Sequence, residues 1–298
     1  MFAAASVRRL LEEALDQLRD AGEHAELAAS RDLDQARNLA AAAAPRFDVV
    51  IAAGGDGTVR AVATGLLQAG ENGAALGLLP LGTGNDFAAQ LGLPDLVTAV
   101  VALQRSDERR VDVIQVRNSG GGSQPEHYAL LFAAAGFAPA LLLATSPRLK
   151  RWLGRSWCYA AGFFRALPGF QAPQFTVRAD GREFRGRYFH VCAGNSAQAG
   201  GGVMRLSPGA RMDDGWLELC LIEALGKAEI VRRFPQLVRG TFPGHPKVKY
   251  FPGRELAVES ATPRPLALDG DVVGVTPATF RVLPGALRVV APVAGRGR

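Results

Sequence analysis

Phe47-Asp-Val-Val-Ile-Ala-Ala-Gly-Gly-Asp-Gly-Thr58 reads as a strand that runs straight into a glycine-rich turn, with a helix beyond it. The run from Val49 to Ala53 is apolar and short, as a buried strand should be. After the turn, Val59, Val62, Leu66 and Leu67 repeat at helical spacing, and Thr58 is placed to cap that helix. Gly54, Gly55 and Gly57 permit positive φ and let a phosphate come close to bare backbone. Successive N–H groups in such a turn form an anion-binding concavity, and a helix N-terminus adds positive potential to it. A second turn, Pro80-Leu-Gly-Thr-Gly-Asn-Asp-Phe87, follows a second apolar strand, Ala75 to Leu79. Two such turns on neighbouring strands would lie at one edge of a sheet, where α/β proteins bind ligands. Together they read as a nucleotide-phosphate site, while either one alone would pass for an ordinary strand-to-helix junction.

The familiar phosphate motifs are absent. There is no G-x-x-x-x-G-K-[ST] and no G-x-G-x-x-G between a strand and a helix, so neither a P-loop nor the standard dinucleotide fingerprint is present. The protein-kinase set is missing too.

Around this centre the chain alternates. Ser6 to Ala21 and Asp32 to Ala44 read as helices, on apolar residues at helical spacing, and precede the strand at Val49. A helix from Thr58, a strand at Ala75 and a helix from Asp86 follow, which argues a parallel sheet. From Arg110 the pattern becomes short strands. Val111 to Val116 is one, and Asn118 to Pro125 is a loop. Phe175 to Ala179 and Arg182 to Val191 form a hairpin on Asp180-Gly181. Strands at Trp216–Ile222, Glu255–Glu259, Pro265–Leu268 and Thr279–Leu283 complete a β-rich region, plausibly a sandwich. The division is therefore an α/β nucleotide domain over 1–115 and a β-rich substrate domain over 116–285. Residues 286–298 are expected to return to the first.

At 298 residues the chain has ample material for a core, and its 48% apolar composition is that of a globular protein. Cys158, Cys192 and Cys220 are an odd number without C-x-x-C spacing, which suggests core thiols in a reducing compartment. No stretch of about 18 apolar residues is present to span a bilayer. The four histidines show no metal-binding spacing. A net charge of +6 and a pI near 9.6 favour anionic partners. Nucleic acid is the poorer fit, since no recognised binding motif accompanies the charge. Arg148 to Trp157 mixes basic and aromatic residues, as does the run Lys247, Lys249, Tyr250 and Phe251; such mixtures suit an anionic membrane interface or a solvated helix face.

Gly54-Gly-Asp-Gly-Thr58 followed by Leu81-Gly-Thr-Gly-Asn-Asp-Phe87 resembles the diacylglycerol kinase catalytic-domain family, which includes bacterial lipid kinases and sphingosine kinases and has NAD kinases as distant relatives. The G-G-D-G-T core is shared across that superfamily, and the L-G-T-x-N-D-F turn narrows it to the lipid-kinase branch. The resemblance implies a Rossmann-like nucleotide domain, a β-sandwich domain, and an active site in the cleft between them. In the family a strand with Asn-Pro precedes the first helix; here Met1 stands almost at that helix, so either the start is misassigned or the first strand is lacking.

By resemblance the nucleotide would be held by Ser30, Gly55, Asp56, Gly57, Thr58 and Thr83. Ser30 stands in place of a family Thr and could equally cap the helix after it. Asp56 would anchor the first loop, toward phosphates through Mg²⁺ or toward the acceptor hydroxyl. Asn85 and Asp86 would fix the second loop and cap its helix. Arg60-Ala61 departs from the family's Asn-Glu, and Arg60 could meet a phosphate instead.

Further along, Val191 to Met204 resembles the family's stretch of an Asn before a Gly-Gly-Gly-Met turn, and Pro208-Gly-Ala-Arg-Met-Asp-Asp-Gly-Trp-Leu217 resembles its P-x-A-x-x-x-D-G-x-L pattern. There the family holds a structural magnesium, carried over here to the Asp214 side chain with the Arg211 and Trp216 main chains. One carboxylate with carbonyls and waters suits Mg²⁺. Leu266-Ala-Leu-Asp-Gly-Asp271 resembles the family's D-G-E stretch, whose Glu is the base that deprotonates the lipid hydroxyl. Asp271 takes that place one methylene shorter and can serve if it reaches the proton. Read without the resemblance, both Asp-Gly pairs are plain turn chemistry.

The reading is therefore an ATP-dependent, Mg²⁺-requiring lipid kinase that phosphorylates diacylglycerol or a related lipid, cytoplasmic and transiently at the inner face of the membrane. The alternatives are an NAD kinase-like enzyme, or a catalytically impaired lipid- or nucleotide-binding relative.

Overall fold

The computed structural model describes residues 2–20, 22, 24–70, 73–118, 126–145, 158–198, 202, 204–239, 242 and 244–292. It divides into two compact units, residues 1–111 with 286–298, and residues 112–285.

The first unit is an α/β domain. It holds helices α1 (Phe2–Asp20) and α2 (Leu33–Ala43), strand β1 (Val49–Gly54), α3 (Asp56–Ala69), β2 (Ala75–Pro80), α4 (Asp86–Gln90) and α5 (Leu96–Arg105). The expected parallel pairing is present, with Val49 opposite Ala75 and Gly54 opposite Pro80. On its other side β2 takes a parallel partner from the end of the last strand, Val289 opposite Leu76. Among the described residues β1 has β2 as its one partner strand. Ala14 of α1, Ala75 and Leu79 of β2, and Ala99, Val100 and Leu103 of α5, a helix the sequence reading does not mark, pack together with Val290; in the predicted stripe of α2, Ala36 and Ala40 are buried but Leu33 and Leu39 are exposed.

Two capping expectations are corrected. α3 starts at Asp56 with Gly55 at its N-cap, so Thr58 lies inside the first turn and does not cap it. The geometry is set by backbone, since the Val59 N–H donates to the Gly55 carbonyl. The cap of α2 is Asp32, whose carboxylate accepts from the Gln35 N–H at 2.7 Å. Ser30 is exposed and precedes that cap by two residues.

The second unit is the β sandwich. Its strands begin with β3 (Glu108–Asn118), which enters from the first unit, and continue with β4 (His127–Ala129), β5 (Phe132–Gly136), β6 (Gln174–Ala179), β7 (Arg182–Gly194), β8 (Leu217–Glu223), β9 (Val248–Gly253), β10 (Glu255–Glu259), β11 (Pro265–Leu268), β12 (Asp271–Val275) and β13 (Ala278–Val290). Among the described residues three α-helices accompany them: α6 (Phe137–Ala144), α7 (158–166) and α8 (Lys227–Arg239). The predicted hairpin forms, with Ala179 opposite Arg182 and positive φ at both Asp180 and Gly181. Its second strand is longer than expected and serves both layers. Arg182 to Arg187 pairs with β6, and beyond an irregularity between Tyr188 and His190 the strand pairs with β5 and β8 instead. Burial follows the switch: residues 182–187 run exposed or half-buried, and 188–194 are all buried. A bulge is how strands change sheets at such corners. The core between the layers is apolar, from Ile114 and Val116 through Phe175, Val191, Leu219 and Leu256 to Phe280. All three cysteines are buried and none forms a disulfide.

Candidate functional site

In the first unit the two glycine turns meet backbone to backbone. The Leu81 N–H donates to the Gly54 carbonyl at 3.1 Å, which brings the ends of β1 and β2 together. A Cβ on Gly82 would overlap the Gly55 Cα and come within 2.9 Å of the Gly55 nitrogen, so only glycine allows this junction. Asn85 braces the second turn from inside. Its Oδ1 accepts from the Gly82 N–H at 3.0 Å, and its Nδ2 donates to the carbonyls of Pro80 and Gly82 at 3.1 and 2.9 Å. It adopts a left-handed backbone, φ 61°, and makes no side-chain cap to α4, so its role is the loop rather than the helix end.

Asp56 ties the two turns together, its Oδ1 accepting the Phe87 N–H at 3.2 Å. Burial pushes its carboxyl above the ordinary aspartate value, opposed by the N–H groups of Phe87, Asn85 and Asp86 and reinforced by the Asp86 charge. Gly55, Asp56, Gly57 and Thr58 thus stand at the C-terminal end of β1 and the start of α3, with Thr83 in the adjoining turn. Ser30 belongs to the same unit, in the irregular segment 24–30.

In the second unit the D-G-x-L and D-G-D turns each carry two acidic residues, and each pair splits. Asp269 is the structural member of the D-G-D stretch. Its carboxylate accepts three consecutive backbone N–H groups, from Leu130 at 2.6 Å, Leu131 at 2.8 Å and Phe132 at 3.0 Å, and so fixes the start of β5. Asp269 and Gly270 both have positive φ, which turns the β11–β12 hairpin tightly. Asp271 opens β12 opposite Leu268 and is exposed.

Around the D-G-x-L turn, Asp214 is exposed and its Oδ1 accepts the Trp216 N–H at 3.0 Å. Arg211 is exposed and pairs with Asp213 at 3.5 Å. Trp216 lies under the Arg254 guanidinium, 4.4 Å from the ring centre, a cation–π contact. No group of three His, Cys, Asp or Glu residues gathers among the described residues. The proposed donor set does not need one, because one Asp214 carboxylate with main-chain oxygens is chemistry a hard cation accepts.

Two buried residues organise this turn: Asp112, which carried no sequence signal, and Asn195, which the sequence marked only as the Asn of the family-like stretch Val191 to Met204. Asp112 is buried, and its oxygens accept the N–H groups of Gly215 and Gly285, each at 2.7 Å. Its own N–H donates to the Met212 carbonyl at 2.7 Å. Asn195 is also buried and donates to the carbonyls of Asp112 and Leu130, both at 2.8 Å. The partners lie so far apart along the chain that no local pattern could reveal them.

Of the two basic-aromatic runs, Arg148 to Trp157 lies outside the described residues. In the other, Lys249 pairs with Glu223 at 2.6 Å and Lys247 donates to the Ala224 carbonyl at 3.3 Å. Phe251 packs on Phe184. That run is tied into the sandwich. Among the described residues no helix is long and apolar enough to cross a membrane.

Comparison with known proteins agrees with this layout. Residues 3–116 match the family model described as the diacylglycerol kinase catalytic domain. Residues 144–291 match the one described as the YegS C-terminal NAD kinase beta sandwich-like domain. The chain is 31% identical over 287 residues to a protein named diacylglycerol kinase from Staphylococcus saprophyticus, covering 96% of this chain and 90% of the relative. It is 32% identical over 289 residues to one of the same name from Staphylococcus aureus, covering 96% and 88%. Among solved structures, a diacylglycerol kinase from Bacillus anthracis is similar in fold, with a TM-score of 0.70 at 19% identity over 95% of this chain and 92% of that one.

Proposed function

The chain belongs to the diacylglycerol kinase catalytic-domain family of lipid kinases, and from that premise we propose that it transfers the γ-phosphoryl group of ATP to the hydroxyl of diacylglycerol or a closely related lipid. The observation that carries this reading is the junction of the two glycine turns, closed at Gly55 and Gly82 and braced by Asn85 and Asp56. Open N–H groups at the end of β1 and the start of α3 suit phosphate oxygens. Gly55, Gly57, Thr58 and Thr83 hold the nucleotide there, with Ser30 contributing from the segment before α2.

Asp271 takes the proton from the acceptor hydroxyl as the oxygen attacks the γ-phosphorus. Its exposure at the start of β12 supports that role, since a base must be reachable by the acceptor. Asp269 cannot exchange roles with it, because its carboxylate is engaged by three N–H groups. A magnesium ion would be held by the Asp214 side chain and the Arg211 and Trp216 main chains. Bound there, it supplies positive charge that braces the turn, while Asp112 fixes the same turn from below through Gly215.

The test is transfer of labelled phosphate from ATP, with Mg²⁺, to a panel of lipids in mixed micelles. A labelled diacylglycerol is the expected result. Labelling of a soluble dinucleotide with no lipid product would overturn the reading.

A further inference from the structure

We infer that Arg31, just ahead of α2, is a further nucleotide-binding residue whose guanidinium meets the polyphosphate, an inference that rests on the reading of the glycine turns above.

Helix packing brings Arg31 to those turns. α2 and α3 lie side by side and run in the same direction. A Cβ on Gly65 of α3 would come within 2.2 Å of the Arg37 carbonyl oxygen and 2.9 Å of the Ala40 Cβ. One on Gly73, beyond α3, would stand 3.4 Å from the Ala44 Cβ, and the Ala74 N–H donates to the Ala44 carbonyl at 3.1 Å. Early residues therefore face early ones, and late residues late ones. Counted back from Gly65, Asp56 stands about 13 Å along α3; counted back from the Arg37–Ala40 contact, Leu33 stands about 9 Å along α2. Asp32 is extended, and two extended residues cover about 6 Å, so Arg31 reaches the level of Gly55 to Thr58. The opposite end agrees. Glu26 pairs with Arg46, beyond the far end of α2, so segment 24–30 climbs the length of that helix and brings Arg31 back to the glycine turns. Helices packed through glycine and alanine lie roughly 8 Å apart, a gap that an arginine side chain spans.

The backbone here is fixed and the charge is not. The Asp32 carboxylate accepts the Gln35 N–H, and the Gln35 side-chain oxygen accepts the Arg31 N–H, both at 2.7 Å. This reciprocal pair holds the main chain and leaves the exposed Arg31 side chain to turn. Arg37 and Arg46, further along, each have a carboxylate, Asp34 at 3.1 Å and Glu26 at 3.9 Å. Among the described residues Arg31 has none. Its position is also electrostatically adverse, because a cation beside the starts of two helices meets the positive ends of both dipoles. An anion between them reverses that sign. A planar guanidinium can then pair with phosphate oxygens two at a time, while the turn N–H groups hold the same polyphosphate from the other side.

The experiment is calorimetric titration of the full chain with ATP and Mg²⁺, at low and high salt. The variants are Arg31→Gln, Arg31→Lys and, as a control of equal charge change at the other end of α2, Arg46→Gln. Unfolding midpoints and labelled phosphate transfer to diacylglycerol are recorded for each. Arg31→Gln should bind ATP about tenfold more weakly, as loss of one charge-assisted contact predicts. KM for ATP should rise with it, while KM for diacylglycerol and the unfolding midpoint stay as in the wild type. Arg31→Lys should recover part of the loss, since it keeps the charge without the fork. The gap between Arg31→Gln and wild type should narrow in high salt. Arg31→Gln that binds ATP as tightly as the wild type would overturn the inference. So would an equal loss in Arg46→Gln, which would reduce the effect to net charge, or a wild type that binds no ATP. Failure of the lipid-kinase reading looks different: ATP is held in an Arg31-dependent way and no lipid is labelled.

Discussion

In the first unit, rigidity comes from what is missing. Gly55 and Gly82 have no side chains, their backbones touch, and Asn85 and Asp56 fill the hydrogen bonds that remain. The second unit fixes its turns with carboxylates bonded to backbone N–H groups: half-buried Asp269 beneath the D-G-D hairpin and buried Asp112 beneath the D-G-x-L turn. The difference explains why Gly55, Asp56, Gly57 and Thr58 are half-buried while Asp214 and Asp271 are exposed. Glycine turns proposed to hold phosphate must themselves close around it, whereas a turn held from below can leave Asp271 or Asp214 exposed. It also separates two aspartates of identical chemistry only two residues apart.

The largest expected effect tests that separation. Asp271→Asn should lower phosphate transfer about 10²–10⁴-fold, the usual contribution of a general base, with the unfolding midpoint unchanged. Asp269→Asn should do the converse. With its charge removed from three N–H groups, it should lose about 2 kcal/mol of stability, read by denaturant unfolding, and keep most of its turnover per folded molecule. If Asp269→Asn abolishes transfer at full stability while Asp271→Asn does not, the two assignments must be exchanged.

Gly82→Ala addresses the other arm of the comparison. The added methyl has nowhere to go but into Gly55, and strain of this kind costs about 1–3 kcal/mol. Since the junction carries the proposed phosphate N–H groups, ATP should bind about tenfold more weakly by calorimetry, a change of about 1.4 kcal/mol. Unaltered ATP affinity with lowered stability would make the junction a purely structural element.

The same contrast explains how far the sequence could be read. The glycine turns were legible because the requirement they meet, absence of a Cβ, is written in the residue type itself. The alternation of helix and strand before residue 111 was legible from apolar spacing, and the hairpin from Asp180-Gly181. The point where β7 changes sheets was present as a change of pattern. Arg182 to Arg187 is largely polar, and Phe189 to Gly194 is nearly all apolar or small. What could not be read were the carboxylates that hold the turns, because Asp112 meets Gly215 and Gly285, and Asp269 meets residues 130–132, only in the folded chain. The cap of α3 misled for a local reason: threonine is a good capping residue, but the backbone turn at Gly55 begins the helix before Thr58 is reached.

The smallest effect sharpens the comparison from within the glycine junction. Asp56 is the carboxylate there whose ionised form burial opposes, so its folded-state pKa lies above the unfolded value of 3.8. A carboxyl raised in the folded state binds its proton more tightly when folded, so it stabilises the fold below about pH 4 and loses that contribution as pH rises through the folded value. At neutral pH the charge is therefore a standing expense to stability. Asp56→Asn keeps an oxygen to accept the Phe87 N–H and removes the charge. Its unfolding midpoint should be higher than wild type at pH 7, on the order of 2 °C, and the gap should close as pH falls toward 4. Phosphate transfer should fall in the same variant, because the role the family resemblance implies for Asp56, toward phosphates through Mg²⁺ or toward the acceptor hydroxyl, needs its charge. A variant both less stable at pH 7 and insensitive to pH would show that the hydrogen bonds to Asp56 outweigh its burial, which would make it an internal pin like Asp269.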